Sequence, residues 1–547
     1  MLDGLKQTRH IFWVRPDAIS DNLLATAMLP HIRAAFVGAK ITVFCQDTAA
    51  ELYQPCPFVD EIVTFNLVRF EREGAYREAM IRGLQARGAD LCLNSVYSRS
   101  ALTDFVSYAT QARRRVAFVG GLENIPAAVR DQNNSLYTDL LPSGPTHLPE
   151  LIRHRAFLQA LGIDAPPLPL PLIWLTDDDE RFADALFRDH GLDPARTVAL
   201  FAGAATSDRK YEHYGSALRP LGRESRLQLV ALGAGTDLTT NQAHLDAANP
   251  ELALNLSGQT SLRQSAAILR RCRAAVGGEG SLAHVACAMG TPNVIVQGGG
   301  YMGRFLPYAP TTAVVSVPLE CHGCRWNCRF ASVHCLQDVP PSLLEAAIRQ
   351  TLARTSERAR VFVPRSEQWP RRPGLPLWQS PSQSLADVDV DVIEIDSRAA
   401  RRRADGEATP APSTEPAAAA TAAVTPAATY LKAIALAENG DLAEASQLLQ
   451  ALTEGERLCA LIRNDLGAIH HRQGRVAEAL RDFERAALLD PTHVNAHKNL
   501  ADVYIQLGRH DEAIATLERA ATQDPGDAEI AAQLQRLSLP ARSSAAR

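Results

Sequence analysis

Two series of short β-rich runs alternating with helical stretches constrain this chain more than any other feature. The first comprises HIFWVRP, KITVFCQ (40–46), DEIVTFN (60–66), ADLCLNSVY (89–97) and RRVAFVG (114–120). The second comprises TVALFAG (197–203), RLQLVALGAG (226–235), LALNLSG (252–258), RAAVGGEG (273–280) and NVIVQGGG (293–300). Strands separated by helical patterns need crossover connections, which predicts βαβ units and mainly parallel sheets. Between the series, DAPPLPLPLIWL (164–175) places four prolines in six residues, which forbids a helix and holds the chain extended. The expected organisation is therefore one α/β domain over 1–165, a connector, and a second α/β domain over 176–370.

Composition narrows the class. The chain has 547 residues, 56 basic and 61 acidic, a net charge of −5, with 46% hydrophobic and 21% charged residues. That balance excludes a polycation built for nucleic acid. No run approaches the ~18–20 apolar residues that span a bilayer, and the first twenty residues lack the pattern of a secretory leader. The expected location is the cytoplasm. Six scattered cysteines (Cys45, Cys56, Cys92, Cys272, Cys287, Cys459) sit mostly in apolar runs, as buried thiols do.

Residues 380–427 change character, from DVDVDVIEID through SRAARRR to a Pro-Ala-Thr tract, and are expected to be a flexible linker. The Asp387-x-Asp389 pair there lies outside both expected sheet domains and is not read as a metal motif. From 428 to 540 the chain repeats. Gly440, Gly474 and Gly508 are 34 residues apart, as are Ala445, Ala479 and Ala513, while Pro491 and Pro525 share that interval. This period resembles tetratricopeptide repeats, with EIAAQLQRL (529–537) as a capping helix. Such stacks form an all-α solenoid whose groove holds a peptide or protein partner; the alternative is an oligomerisation or solubility appendage.

Several strand candidates end in glycine, and open α/β sheets bind ligands at the carboxyl ends of their strands, where glycine lets amides approach a phosphate. Neither G-x-G-x-x-G nor Walker A spacing occurs where a strand meets a helix, which weighs against dinucleotide and P-loop chemistry. In RPDAISDNLLATAML, Asp21 falls near a helix start. There it is either a plain N-cap or a carboxylate kept ionised by the helix terminus and suited to accept a hydroxyl proton.

This opening segment resembles that of glycosyltransferase family 9, the heptosyltransferase family, with Ser20 where the family has glycine. The resemblance implies that Asp21 is the catalytic base. FAGAATSDRKYEHYG (201–215) is similar to the family's donor loop, which implies that Gly203 lines the donor site and that Lys210 neutralises the leaving diphosphate; otherwise Lys210 is a solvated surface residue. LSGQTSLRQSAAILRRCRAAVGGEGSLAHVACAMGTPNVIVQGGG resembles the nucleotide-binding region, with Glu279-Gly280-Ser281 in place of Asp-Ser/Thr-Gly. The amides of Gly280, Ser281 and Leu282 would then face the diphosphate. His284 would either bond a phosphate or pack in the core, and Asp237 is the candidate for the ribose hydroxyls. Arg99 and Asp104, in SVYSRSALTDFVSYAT (95–110), are candidates for acceptor contact, with capping by Ser98, Ser100 or Thr103 as the alternative reading.

The resemblance covers roughly residues 8–360. It implies a GT-B fold, two Rossmann-like domains facing a cleft, and an inverting, metal-independent transfer of a sugar from a nucleotide-diphosphate donor, an ADP-linked heptose, to a hydroxyl. The repeats point to a protein acceptor, with a lipopolysaccharide-type acceptor as the second reading. A non-catalytic scaffold with a decayed transferase fold is the competing class. Finally, Cys321, Cys324, Cys328 and Cys335 lie within fifteen residues at spacings x2, x3 and x6. In a reducing compartment four close thiols are better explained as ligands of a structural zinc or iron than as disulfides, with unmetallated thiols as the alternative, and the order does not match a ferredoxin run.

Overall fold

The computed structural model describes residues 5 and 7–364 except 146–147, 205, 207–208, 318, 320, 327, 329, 331 and 354–355, then 390–395, and, within 433–538, all but 434–435, 438–439, 455–459, 490–492 and 524–526. Asp387, Asp389, Pro491 and Pro525 lie outside the described residues.

The first domain holds β1 (His10–Arg15), β2 (Lys40–Gln46), β3 (Glu61–Phe65), β4 (Leu91–Asn94), β5 (Arg114–Phe118) and β6 (Asp139–Leu141), in the all-parallel order β3-β2-β1-β4-β5-β6. All six residues of β1 are buried. That is why its apolar run does not alternate: helices cover both faces of a parallel sheet. Chain order reverses between β1 and β4, so the loops after these two strands flank the crevice where open α/β sheets bind ligands.

The second domain holds β7 (Thr197–Phe201), β8 (Gln228–Ala231), β9 (Leu252–Asn255), β10 (Ala274–Gly278), β11 (Asn293–Val296), β12 (Thr312–Val315), β13 (Ala359–Pro364) and β14 (Val390–Ile395). Its order is β14-β13-β12-β11-β10-β7-β8-β9, again parallel throughout. The reversal falls between β7 and β10, which sets the ends of these two strands, at Phe201 and Gly278, side by side. β14 corrects one expectation. Part of the segment read as linker is an edge strand, its VDVIEI run pairing with β13 through register partners such as Val361 and Val392.

The two halves are held together by specific bonds. Glu51 of the first domain accepts from Ser261 Oγ and from the amides of Leu262 (3.1 Å) and Arg263 (2.9 Å), so it caps the helix Leu262–Arg271 from across the junction. The helix Ile19–Ala25 packs on the helix Ser281–Ala288 of the other half, within one apolar core that runs from Trp13 and Leu24 to Val285 and Ile295.

The C-terminal part is helical: Leu442–Glu454, Ala460–Arg472, Val476–Leu489, Val494–Gln506, His510–Gln523 and Ala528–Ser538. Gly440, Gly474 and Gly508 have φ of +92°, +75° and +73°, left-handed turns that glycine adopts without strain. Ala479, Ala486, Ala501, Ala513 and Ala520 are completely buried, which lets paired helices approach closely.

The repeats dock on the first domain. Ala445, Leu466 and Ile469 share a core with Ile81, Leu84 and Phe105. Polar bonds fix two repeat helices and the start of the capping helix: Arg77 Nη2 donates to Asp465 Oδ2 (2.9 Å), Arg72 Nε to Asn495 Oδ1 (3.1 Å), and Arg72 Nη2 to Asp527 Oδ2 (2.8 Å). Arg77 is 3% exposed. Asp465→Ala therefore removes a charged partner of a buried guanidinium and is expected to cost about 2 kcal/mol. Faster amide hydrogen exchange across Gly74–Ala86 and the helix Ala460–Arg472 is the readout.

Candidate active site

The acceptor side grows from the end of β1. Trp13 Nε1 and Arg15 Nη1 both donate to Ser95 Oγ at 3.1 Å, which ties the end of β1 to the start of the loop after β4. Arg15 Nη2 then donates to Asp17 Oδ2 (2.5 Å) and to the Asp21 carbonyl (2.8 Å), and Asn22 Nδ2 donates to Asp17 Oδ1 (3.1 Å). The turn is thus fixed from within. The N-cap of the helix Ile19–Ala25 is Ala18, so Asp21 lies in the first turn and is not a cap.

Asp21 is not held in the low-pKa state expected of a helix terminus. Burial first, then the Glu150 charge, pushes its pKa up against the pull of Arg15 and Arg304. A helix terminus contributes only about 0.3–1 kcal/mol, which desolvation of a carboxylate outweighs. Burial likewise pushes Asp17 up to about 7 against the pull of Arg15.

Arg304, after β11, reaches across from the second domain. Its Nε donates to Glu150 Oε2 (3.1 Å), its Nη2 to Ser98 Oγ (2.8 Å), and its carbonyl accepts from the Glu150 amide (2.7 Å). Burial acts the other way, yet Arg304 and Arg153 hold Glu150 down at about 2. Arg153 and Arg304 also sit over the Tyr97 ring, at 3.6 and 4.8 Å.

On the donor side, Gly280 caps the helix Ser281–Ala288 without any side-chain bond. The first-turn amides of Ser281 and Leu282 therefore have no helical acceptor and carry the partial positive charge of a helix start. Glu279, just before them, is pushed up to about 7 by burial, with Arg209 pulling it back. Lys210 Nζ lies 3.4 Å from Thr240 Oγ1. Asp237 accepts from the Ala234 amide (2.9 Å) and packs against Gly203, where a Cβ would meet its carboxyl at 2.3 Å.

Three expected site residues are not on the cleft wall. His284 is 2% exposed, its ring stacked parallel to Tyr308 with Nδ1 3.1 Å from the hydroxyl, and burial lowers its pKa to about 4. Of its two readings, core packing is the one the structure has. Arg99 and Asp104 are completely buried against each other, Arg99 Nε 2.7 Å and Nη2 3.0 Å from the carboxylate. The expectation that they touch an acceptor is corrected: they anchor the loop that carries Tyr97 and Ser98. Ser100 caps the helix Ala101–Ala109, as the alternative reading had it.

The four-cysteine loop packs against the glycine run after β11. The Gly299 amide donates to Cys335 Sγ (3.2 Å), and Gly323 donates to the Gly299 carbonyl (2.7 Å). Burial and then the neighbouring thiols push Cys321 and Cys335 up, Cys335 to about 12. The thiols are thus close enough to feel one another's charge. Among the described residues, however, no three His, Cys, Asp or Glu are arranged to hold a metal ion.

The sequence pattern does not mark Asp17, Glu150, Arg209 and Arg304 as site residues. Asp17 had a signal, being a second acid in the turn that carries Asp21. Glu150 and Arg304 had none, because they are 154 residues apart and meet only across the domain junction.

Two parallel sheets facing a cleft, with their switch-point loops opposed, define a GT-B architecture followed by a helical repeat region. Residues 149–334 match the model of glycosyltransferase family 9 (heptosyltransferase), and tetratricopeptide repeat models match 430–491 and 470–537. The chain therefore carries a heptosyltransferase-like family 9 glycosyltransferase domain joined to C-terminal tetratricopeptide repeats. Lipopolysaccharide heptosyltransferase 2 of Salmonella typhimurium is 24% identical over 298 residues, 53% of this chain and 82% of that protein. A glycosyltransferase family 9 structure from Veillonella parvula superposes with a TM-score of 0.54 at 17% identity, covering 63% of this chain and 97% of its own. The E. coli ADP-heptose lipopolysaccharide heptosyltransferase II structure gives 0.50 at 19%, covering 63% and 98%. Among the described residues, no helix is long and apolar enough to cross a membrane.

Proposed function

We propose that this chain transfers a sugar, a heptose, from an ADP-linked nucleotide-diphosphate donor to a hydroxyl acceptor on a protein brought in by the repeats, with inversion and without a catalytic metal. The observation that carries the reading is the pairing of two helix starts. Asp21 rises from the first turn of a helix packed on the donor-side helix Ser281–Ala288, and its charge is felt by Glu279 and Arg304 of the second domain. A carboxylate base thus faces the kind of uncapped helix start that binds diphosphates.

Asp21 takes the proton of the acceptor hydroxyl as its oxygen attacks the anomeric carbon. The carbon–oxygen bond to the diphosphate breaks, and the nucleoside diphosphate leaves with the electron pair. Lys210 and the amides of Ser281 and Leu282 stabilise the charge that develops on it, the role a preorganised cation and helix start serve without a metal. The raised pKa of Asp21 makes it a stronger base than an ordinary carboxylate, as proton abstraction from a hydroxyl favours. A lipopolysaccharide-type acceptor is the second reading, favoured by the activity named for the Salmonella relative.

Thermal denaturation with ADP tests the donor site, because a ligand of the folded state alone raises the melting point. The expected result is a clear upward shift for the wild type and, for Lys210→Ala, a loss of roughly tenfold in affinity, about 1.4 kcal/mol. No shift with any nucleoside diphosphate or nucleotide sugar would instead favour the scaffold reading.

A further inference from the structure

The glycine run after β11 does not face open space. A Cβ on Gly298 or on Gly300 would come within 2.6 Å of the Trp326 ring, so these positions are glycine because an indole lies directly on the backbone. Trp326 belongs to the four-cysteine loop. Arg325 and Trp326 have φ of +54° and +63°, a conformation disfavoured for residues with a Cβ. The Arg325 amide donates to the Gly300 carbonyl (3.0 Å), which helps hold the loop in that shape. The loop spends backbone strain to press one aromatic ring on the end of β11.

On that ring lies Arg209, its guanidinium carbon 4.3 Å from the ring centroid. Arg209 comes from a different element, the loop after β7, immediately before Lys210. It is half-buried, and among the described residues its buried Nε has no hydrogen-bond partner. Its charge reaches Glu279 and Tyr301, so it points at the turn that opens the donor-side helix. A guanidinium presents five donors in a planar fork, and a stacked ring holds that plane while leaving its edge free for phosphate oxygens.

We propose that Arg209 is a second cation for the donor's diphosphate, working beside Lys210, and that Trp326 is the positioning residue that holds its guanidinium plane. This rests on the glycosyltransferase reading above and deepens it. The four-cysteine loop acquires a role in the donor site without any metal step: it carries the platform on which the diphosphate cation lies. An unstacked arginine at this place swings on its flexible stem.

The test is ADP binding by calorimetry on the full chain, with AMP as the reference ligand. Arg209→Ala is expected to weaken ADP about tenfold and AMP much less. Trp326→Ala weakens ADP several-fold with the same preference for the diphosphate, and Trp326→Phe, which keeps a ring face, restores most of it. In an Arg209→Ala background, Trp326→Ala then changes nothing further, as coupled residues require. Equal weakening by Trp326→Ala in both backgrounds, or equal loss of ADP and AMP, makes Trp326 a merely structural residue and overturns the proposal. So does ADP affinity unchanged by Arg209→Ala. Failure of the wild type to bind ADP, UDP or GDP is a different outcome: it removes the glycosyltransferase reading itself, and this inference with it.

Discussion

Asp21→Asn is expected to lower kcat/KM for sugar transfer by about 10²–10⁴, the range a positioned general base supplies, while ADP affinity changes less than twofold. The substitution keeps the shape of the first helical turn and removes only the proton acceptor. The wild-type pH profile carries a second signature. Transfer needs Asp21 deprotonated, so kcat/KM rises with pH through its pKa. Because burial and Glu150 push that pKa up, the acid limb falls above the pH of ~4 at which an ordinary aspartate titrates. Glu150→Gln removes one of the two raising influences and leaves Arg304 less neutralised, so both effects move the limb to lower pH. A profile whose acid limb is unmoved by Glu150→Gln, or a fully active Asp21→Asn enzyme, would take the base role away from Asp21.

The architecture was legible because its signals are periodic. Strand-like runs such as KITVFCQ and NVIVQGGG recur with helical stretches between them, and a 34-residue glycine spacing admits few folds other than stacked helix pairs. The site was legible only where its residues are near in sequence. Asp21 and the Glu279–Leu282 turn lie at strand and helix ends that the pattern locates. Arg304 and Glu150 meet only across the domain junction, and Trp326 meets Arg209 and the glycine run only once distant loops of the second domain pack together; nothing in their local sequence distinguishes them from other arginines, acids and aromatics. The VDVIEI run sits beside a tract rich in Ala, Pro and Thr, whose linker character masks it. Its alternation was a strand signal all along, and the partner, β13, lies well upstream. Arg99 and Asp104 were misplaced for a related reason: a polar, aromatic stretch after a strand reads alike whether its side chains face a cleft or lie beneath it.

That buried pair carries the largest stability effect expected here. Asp104 accepts four hydrogen bonds: two from Arg99, one from Asn133 Nδ2 (2.9 Å) and one from the Tyr137 hydroxyl (2.7 Å). Arg99 Nη1 is spent on the Phe118 and Val119 carbonyls and on Asn134, and its guanidinium lies 4.7 Å from the Tyr137 ring centroid. Every arm of the network leads to the loops after β4 and β5. Asp104→Ala therefore strands a cation with no water to replace the lost carboxylate, and is expected to cost about 3–5 kcal/mol, read as a lowered denaturation midpoint. Replacing Arg99 and Asp104 together by leucine and alanine costs less than the sum of the single changes, because the second change removes the charge that the first left unpaired. A residue that merely touched the acceptor would behave oppositely, with the melting point unchanged and only the KM for acceptor raised. Since the loop anchored by this pair brings Ser98 to Arg304, the folded fraction of Asp104→Ala should also close its two domains less well. Its acceptor KM then rises together with the fall in stability, while ADP affinity, set on the other side of the cleft, stays as it was.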